Sequence, residues 1–177
     1  MSESKLTVVT AVGSDATGLV NGVTEQIHDA GANIEDSRMA VLGGEFSLMM
    51  LVEGDADTLG RMRKAVTDYA ADRGRLDVFF KETTRAKTRG GDRLQMRVSG
   101  LDHRGIVRQI AGVLARTETN VDAMETELVP APMSGALTFV LTAQLTLPPS
   151  LTPEQLEHAL QEVCETENLD LLLEPAD

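Results

Sequence analysis

The sequence predicts an α+β chain of two tandem modules, each an antiparallel sheet with its helices on one face. Three observations carry this. The segment Gly13-Ser14-Asp15-Ala16-Thr17-Gly18-Leu19-Val20 returns as Gly100-Leu101-Asp102-His103-Arg104-Gly105-Ile106-Val107, at an offset of 87 (100 − 13, 102 − 15 and 105 − 18). The offset holds without a gap to Ala32-Asn33-Ile34-Glu35, which faces Thr119-Asn120-Val121-Asp122. Within each copy, apolar residues pass between strand and helix spacing in the same order. Finally, 177 residues give about 80 per repeat, near the lower size at which a domain buries a core of its own.

The first copy opens on Leu6–Val12, a β-branched and apolar run that predicts a buried strand. Ser14 or Asp15 is placed to cap the helix that follows, accepting from amides that have no partner inside the helix. Leu19, Val23 and Ile27, with Val20 beside them, form its apolar face, and Gly31 ends it. Ile34–Leu42 and Glu45–Glu53 read as a hairpin turned by Gly43-Gly44. Asp55 or Asp57 caps a second helix whose Leu59, Met62, Val66 and Tyr69 face inward, and Gly74 ends it. Leu76–Phe80 is the last strand, with both Phe79 and Phe80 assigned to the core. The order is β-α-β-β-α-β, the ferredoxin-like split unit.

Residues 85–92 are read as a linker between a first domain at 1–84 and a second at 93–177. The surrounding stretch Thr83–Asp92 is polar and basic, and its charges are expected to be solvated or to fold back on the second domain. In that domain Leu94, Met96 and Val98 alternate as a strand, and Ile106, Ile110 and Leu114 line a helix. Val121–Val129 and Ala136–Leu147 form a hairpin through the irregular Pro130–Gly135. Thr152-Pro153-Glu154-Gln155 has the cap, the first-turn proline and the reciprocal Gln of a capping box. Leu156, Leu160 and Val163 face inward, and Leu169–Leu173 closes the sheet.

The net charge of −12 equals that of residues 117–177, the last part of the second copy. No Lys or Arg occurs from Thr117 to Asp177 but twelve acids do, leaving 16 acids against 16 bases in residues 1–116. Such a surface repels phosphate backbones and attracts a basic partner, or simply keeps the chain in solution. No apolar run reaches about 18 residues, the length that spans a membrane. The start, Met1-Ser2-Glu3-Ser4-Lys5, lacks the pattern of a secretory signal, and the single Cys164 cannot form an internal disulfide. A cytoplasmic protein is expected.

Catalytic chemistry is hard to assemble. His28, His103 and His158 fall on different elements and make no helical metal pair, Cys164 reads as a small core hydrophobe, and no dinucleotide or phosphate loop occurs. No metal, no cofactor and no catalytic residue is assigned. The ferredoxin-like core also serves acylphosphatases, which need a loop Arg and an Asn. Arg104 and Asn120 are present, but Thr17 stands where Arg104 does and no matching phosphate loop appears. With four Phe and one Tyr, no aromatic strand for RNA is visible either.

The repeated loop suits a small ligand. Gly18 and Gly105 let a molecule approach the backbone, and the positive helix end behind them favours a carboxylate. Asp15 and Asp102 can receive an ammonium group, so the pair describes an amino-acid site. Asn33 and Asn120 can add donors or acceptors. The structural alternative is that the Asp caps the helix, the Gly serves the turn and the Asn takes a left-handed conformation.

A β-α-β-β-α-β module with D-x-x-G-[LI]-V at its first turn resembles the ACT domain, a regulatory amino-acid-binding module. Two in tandem resemble the glycine cleavage system transcriptional repressor family, above all through Gly31-Ala32-Asn33-Ile34-Glu35-Asp36-Ser37-Arg38-Met39-Ala40-Val41-Leu42-Gly43-Gly44-Glu45-Phe46. Family loops often carry Arg-Pro before the final Gly, where this chain has Ala16-Thr17 and His103-Arg104. The resemblance implies a repressor that binds a LysR-type activator of the glycine cleavage operon rather than DNA, with glycine relieving repression. It carries the ligand site onto Asp15, Gly18, Leu19 and Asn33, and onto Asp102, Gly105, Ile106 and Asn120, with His103 and Arg104 added in the second loop. It also implies sheets placed edge to edge and a homodimer. The other readings are a stand-alone ACT module that controls a metabolic enzyme, and an acylphosphatase-like hydrolase.

Overall fold

A computed structural model describes residues 4–85, 90–130 and 137–176. The chain divides into two compact units, Met1–Ala86 and Lys87–Asp177, each with its own apolar core. In the first, the elements are β1 (Lys5–Ser14), α1 (Leu19–Asp29), β2 (Asn33–Leu42), β3 (Glu45–Gly54), α2 (Ala56–Arg73) and β4 (Leu76–Thr83). In the second they are β5 (Arg93–Leu101), α3 (Ile106–Arg116), β6 (Asn120–Pro130), β7 (Leu137–Thr146), α4 (Pro153–Glu167) and β8 (Leu169–Pro175). The two antiparallel sheets run β2-β3-β1-β4 and β6-β7-β5-β8. This is the ferredoxin-like βαββαβ architecture, twice, as the pattern predicts. Part of the predicted linker, and the Pro130–Gly135 connection beyond Pro130, lie outside the described residues.

Alternation sets which face of each strand is covered. Val9 and Ala11 of β1 and Phe46, Leu48, Met50 and Val52 of β3 are buried against Leu19, Val23 and Ile27 of α1 and Leu59, Met62 and Val66 of α2. The second unit repeats this with Met96, Val98, Leu141 and Leu145 against Ile110, Leu114, Leu156 and Leu160. Cys164 is fully buried in that core, and burial pushes its thiol pKa up, so it is an inert hydrophobe. One core assignment fails. Phe80 packs against the core, beneath the Arg63 guanidinium at 5.9 Å, but Phe79 points the other way and is 62% exposed. Adjacent strand residues cannot share a face, and α1 and α2 cover only one.

The later helices start as predicted. The Asp55 carboxylate accepts from the Thr58 amide at 2.7 Å, which holds its pKa below the usual carboxylate range. Thr152 and Gln155 form the full capping box, with Pro153 in the first turn. α1 and α2 meet where Gly22 lies against Tyr69. A Cβ on Gly22 would stand 1.9 Å from the Tyr69 Oη and 2.2 Å from its Cζ. Gly22→Ala is therefore expected to destabilise the unit by about 1–2 kcal/mol, although alanine is the better helix former. Urea denaturation checks the sign; a stabilised variant would mean that Tyr69 swings away freely.

Candidate functional site

The loop between β1 and α1 is held by backbone. Gly13 lies between Phe46 of β3 and Leu76 of β4, and Ser14 pairs with Glu45. The Asp15 amide donates to the Gly44 carbonyl at 3.0 Å, which ties the loop to the hairpin turn. Gly18, at φ 90°, then turns the chain into α1. Neither Ser14 nor Asp15 caps that helix, contrary to expectation. The cap position belongs to Gly18, which has no side chain to offer, and Gly105 does the same for α3 at φ 103°. Asp15 stands three residues upstream of that position, and its side chain is exposed.

The first turn of α1 thus keeps its positive end without a side-chain acceptor. In front of it is an open concavity of about 510 Å³. Leu19, Val20, Met39 and Phe46 make its apolar wall, and Asp15, Asn21 and Thr24 bring polar groups to it. Gly18 borders it as well, so the loop joins Asp15, Gly18 and Leu19 around one space.

Asn33 is not part of that space. It pairs with Glu53, whereas the loop sits beside Phe46, seven residues away along β3 and so about 23 Å distant. α1 carries the chain to the opposite end of the sheet before β2 begins. Asn120 stands in the same way opposite Thr146, while Asp102 follows the far end of β5 at Leu101. The repeated Asn triplet is instead the start of a β-bulge. Register shifts between Ile34 and Asp36, and again between Val121 and Ala123, leaving Glu35 and Asp122 as the extra residues.

Each bulge acid is fully engaged. Asp122 accepts from the Asn120 side-chain amide and, at 2.6 Å, from the Thr146 hydroxyl. Glu35 grips the Arg85 guanidinium in a two-pronged pair, one arm at 2.8 Å, with Glu53 3.8 Å from the same guanidinium. Glu35 raises the Arg85 pKa further. The Ser4 hydroxyl, donating at 2.7 Å, is the main cause of a lowered pKa at Glu53. Arg85 is solvated, as its linker position implies, with its side chain 65% exposed, and it also pairs with Glu35 of the first unit. The signal for this cluster is the acid in third place of both Asn triplets, which marks the bulge.

The second loop is built differently. Ile106 is buried and Asp102, His103, Arg104 and Gly105 are exposed. The His103 Nε2 lies 3.4 Å from Glu167 at the end of α4, and the Gln109 side-chain amide donates to the same carboxylate. His103 Nδ1 is 3.4 Å from the Arg104 carbonyl. The hairpin beside this loop is also longer. Gly13 pairs with Phe46 and Gly100 with Phe139, so the offset grows from 87 to 93 across the hairpin, six residues more. Among the described residues no cluster of His, Cys, Asp and Glu can hold a metal ion, and no helix is long and apolar enough to cross a membrane.

Residues 5–81 match the ACT domain family. The first unit resembles an ACT domain over these residues. The chain is 25% identical over 164 residues to the glycine cleavage system transcriptional repressor of Escherichia coli, covering 93% of this chain and 86% of that one. A UPF0237 protein of Methanopyrus kandleri is 39% identical over 59 residues, 32% of this chain and 66% of that one. A solved structure of an unknown protein from Galdieria sulphuraria superposes with a TM-score of 0.85 at 28% identity, covering 99% of this chain and all of the other. Another, provisionally assigned as a glycine cleavage system transcriptional repressor, superposes at 0.76 with 22% identity and 99% coverage of both chains, so it speaks for the fold. The chain is two ferredoxin-like units in tandem and is similar to a known regulator over 93% of its length. Within the first unit the cavity faces the strand-to-helix loop and the Asn triplet serves the sheet.

Proposed function

We propose that this protein is a cytoplasmic, non-enzymatic regulator that senses an amino acid and represses the glycine cleavage operon through a protein partner. The observation that carries the reading is similarity over 93% of the chain to a glycine cleavage system transcriptional repressor. The physical chemistry is consistent with it. A helix start without a side-chain cap favours a carboxylate, and Asp15 on the rim offers an anion to an ammonium group, the two charges of a free amino acid. The acidic second copy disfavours direct contact with DNA and suits a basic protein surface. In this reading the partner is a LysR-type activator, glycine relieves repression, and the acting form is a homodimer.

The test is reconstitution. The purified chain is expected to retain the LysR-type activator on a pull-down at low salt, to release it as salt rises, and to release it when glycine is added. Retention of a metabolic enzyme instead would transfer the same module to allosteric control of catalysis. Binding of operator DNA by the chain alone would overturn the proposal.

A further inference from the structure

We propose that the helix-free face of the first sheet is a self-association surface, covered by the same face of a second copy of this chain. The inference rests on the homodimer reading above and assigns it a face and a pairing. Three cross-strand rows, each running β2-β3-β1-β4, lie at the centre of the face, with Asn33-Glu53-Leu6-Thr83 beyond them. The central three are Asp36-Leu51-Val8-Lys81, Arg38-Met49-Thr10-Phe79 and Ala40-Ser47-Val12-Asp77. Met49 is 53% and Phe79 62% exposed; in the three central rows the middle strands carry Leu51, Val8, Met49 and Val12 beside Thr10 and Ser47, and the four charges, two of each sign, sit on the two outer strands.

That arrangement is self-complementary. A two-fold axis along the strands, between β3 and β1, lays β2 over β4 of the other copy and β3 over its β1. Asp36, which also pairs with Arg38 of its own strand, then meets the partner's Lys81, Arg38 covers the ring of the partner's Phe79, Leu51 meets the partner's Val8, and Asp77 lies over the partner's Ala40 beside its Arg38. Each contact occurs twice, as a two-fold interface requires. Arg over an aromatic face and carboxylate against ammonium are both attractive. Sheets pack in this manner about 10 Å apart, with strands rotated by roughly 30°. Four strands of about eight residues span roughly 500 Å² per copy, and the two faces together reach the roughly 1,000 Å² of a specific contact.

The second sheet lacks this property. Its central helix-free rows are Ala123-Gln144-Gln95-Glu174, Glu125-Thr142-Arg97-Leu172 and Glu127-Val140-Ser99-Asp170. The same operation would set Glu127 against the partner's Asp170, two like charges. The first face therefore pairs with itself and the second does not.

Sedimentation velocity on the full chain tests this. The natural chain is expected to be a dimer at micromolar concentration. Phe79→Glu, an exposed change, is expected to weaken the dimer by roughly 30-fold or more while the melting curve holds. Asp36→Lys and Lys81→Asp should each weaken it about tenfold, and together should restore it. A chain still monomeric at about 100 µM overturns the dimer itself. A dimer indifferent to Phe79→Glu overturns the face, and absence of rescue in the double variant overturns the pairing.

Discussion

Replacing Gly13 with alanine is expected to destabilise the first unit by on the order of 3 kcal/mol or more, lowering its melting temperature by roughly 15 °C. The added Cβ would stand 1.7 Å from the Arg75 carbonyl oxygen and 2.7 Å from its carbon. Neither backbone can retreat. Gly13 is in a central strand paired on both sides, to Phe46 and to Leu76. Arg75 follows Gly74, whose amide is bound to the Ala70 and Ala71 carbonyls, and Leu76 is buried in the core. The corresponding change at Gly100 should cost less, because its Cβ first meets the movable Cδ2 of Leu169 at 2.6 Å and then the Asn168 carbonyl at 3.0 Å. At Gly60, within α2, a Cβ meets nothing within 4 Å. There alanine should stabilise by about 0.5–1 kcal/mol. Denaturant titration of the three variants checks the order; a benign Gly13→Ala would show that the turn before β4 relaxes.

The same glycine explains why so much of the fold was visible in the sequence. Gly13 and Gly100 recur because each copy brings a turn against the end of its first strand, and the constant offset records that shared contact. Apolar spacing marked the helices and strands because each unit has one covered face. The parts that were not visible depend on where elements end in space. Asp15 reads as a cap until Gly18 is seen to start the helix with a positive φ, which moves the cap position three residues on. Asn33 reads as a site residue because it follows the motif closely in sequence, yet α1 carries the chain to the other end of the sheet. Phe79 and Phe80 are adjacent aromatics that only register assigns to opposite faces. Arg85 looks like linker charge until the bulge at Glu35 turns a carboxylate towards it. The longer second hairpin lies beyond Asn120, where the two copies lose their common offset.

Amino-acid binding, the remaining large effect, is expected to follow the first loop alone. Calorimetry should find one site per chain, weakened about 10- to 100-fold by Asp15→Ala, the range for losing a charged hydrogen bond. Asp102→Ala should leave affinity within about twofold. Loop sequence does not separate the two, since both carry the Asp and the Gly at equal spacing. Their surroundings do. The first loop opens onto a concavity walled by Met39 and Phe46, beside a helix start that has no side-chain acceptor. The second carries His103 where the first has Ala16, and that ring is held near Glu167, a carboxylate that also binds Gln109. A ligand carboxylate approaching there meets an acid already in place. Asp15 makes no cap bond, so its removal should shift the melting temperature by no more than a few degrees, which separates lost binding from lost fold. Two equivalent sites, or equal losses from the two substitutions, would show that the Glu167 contact opens on binding and that both loops sense.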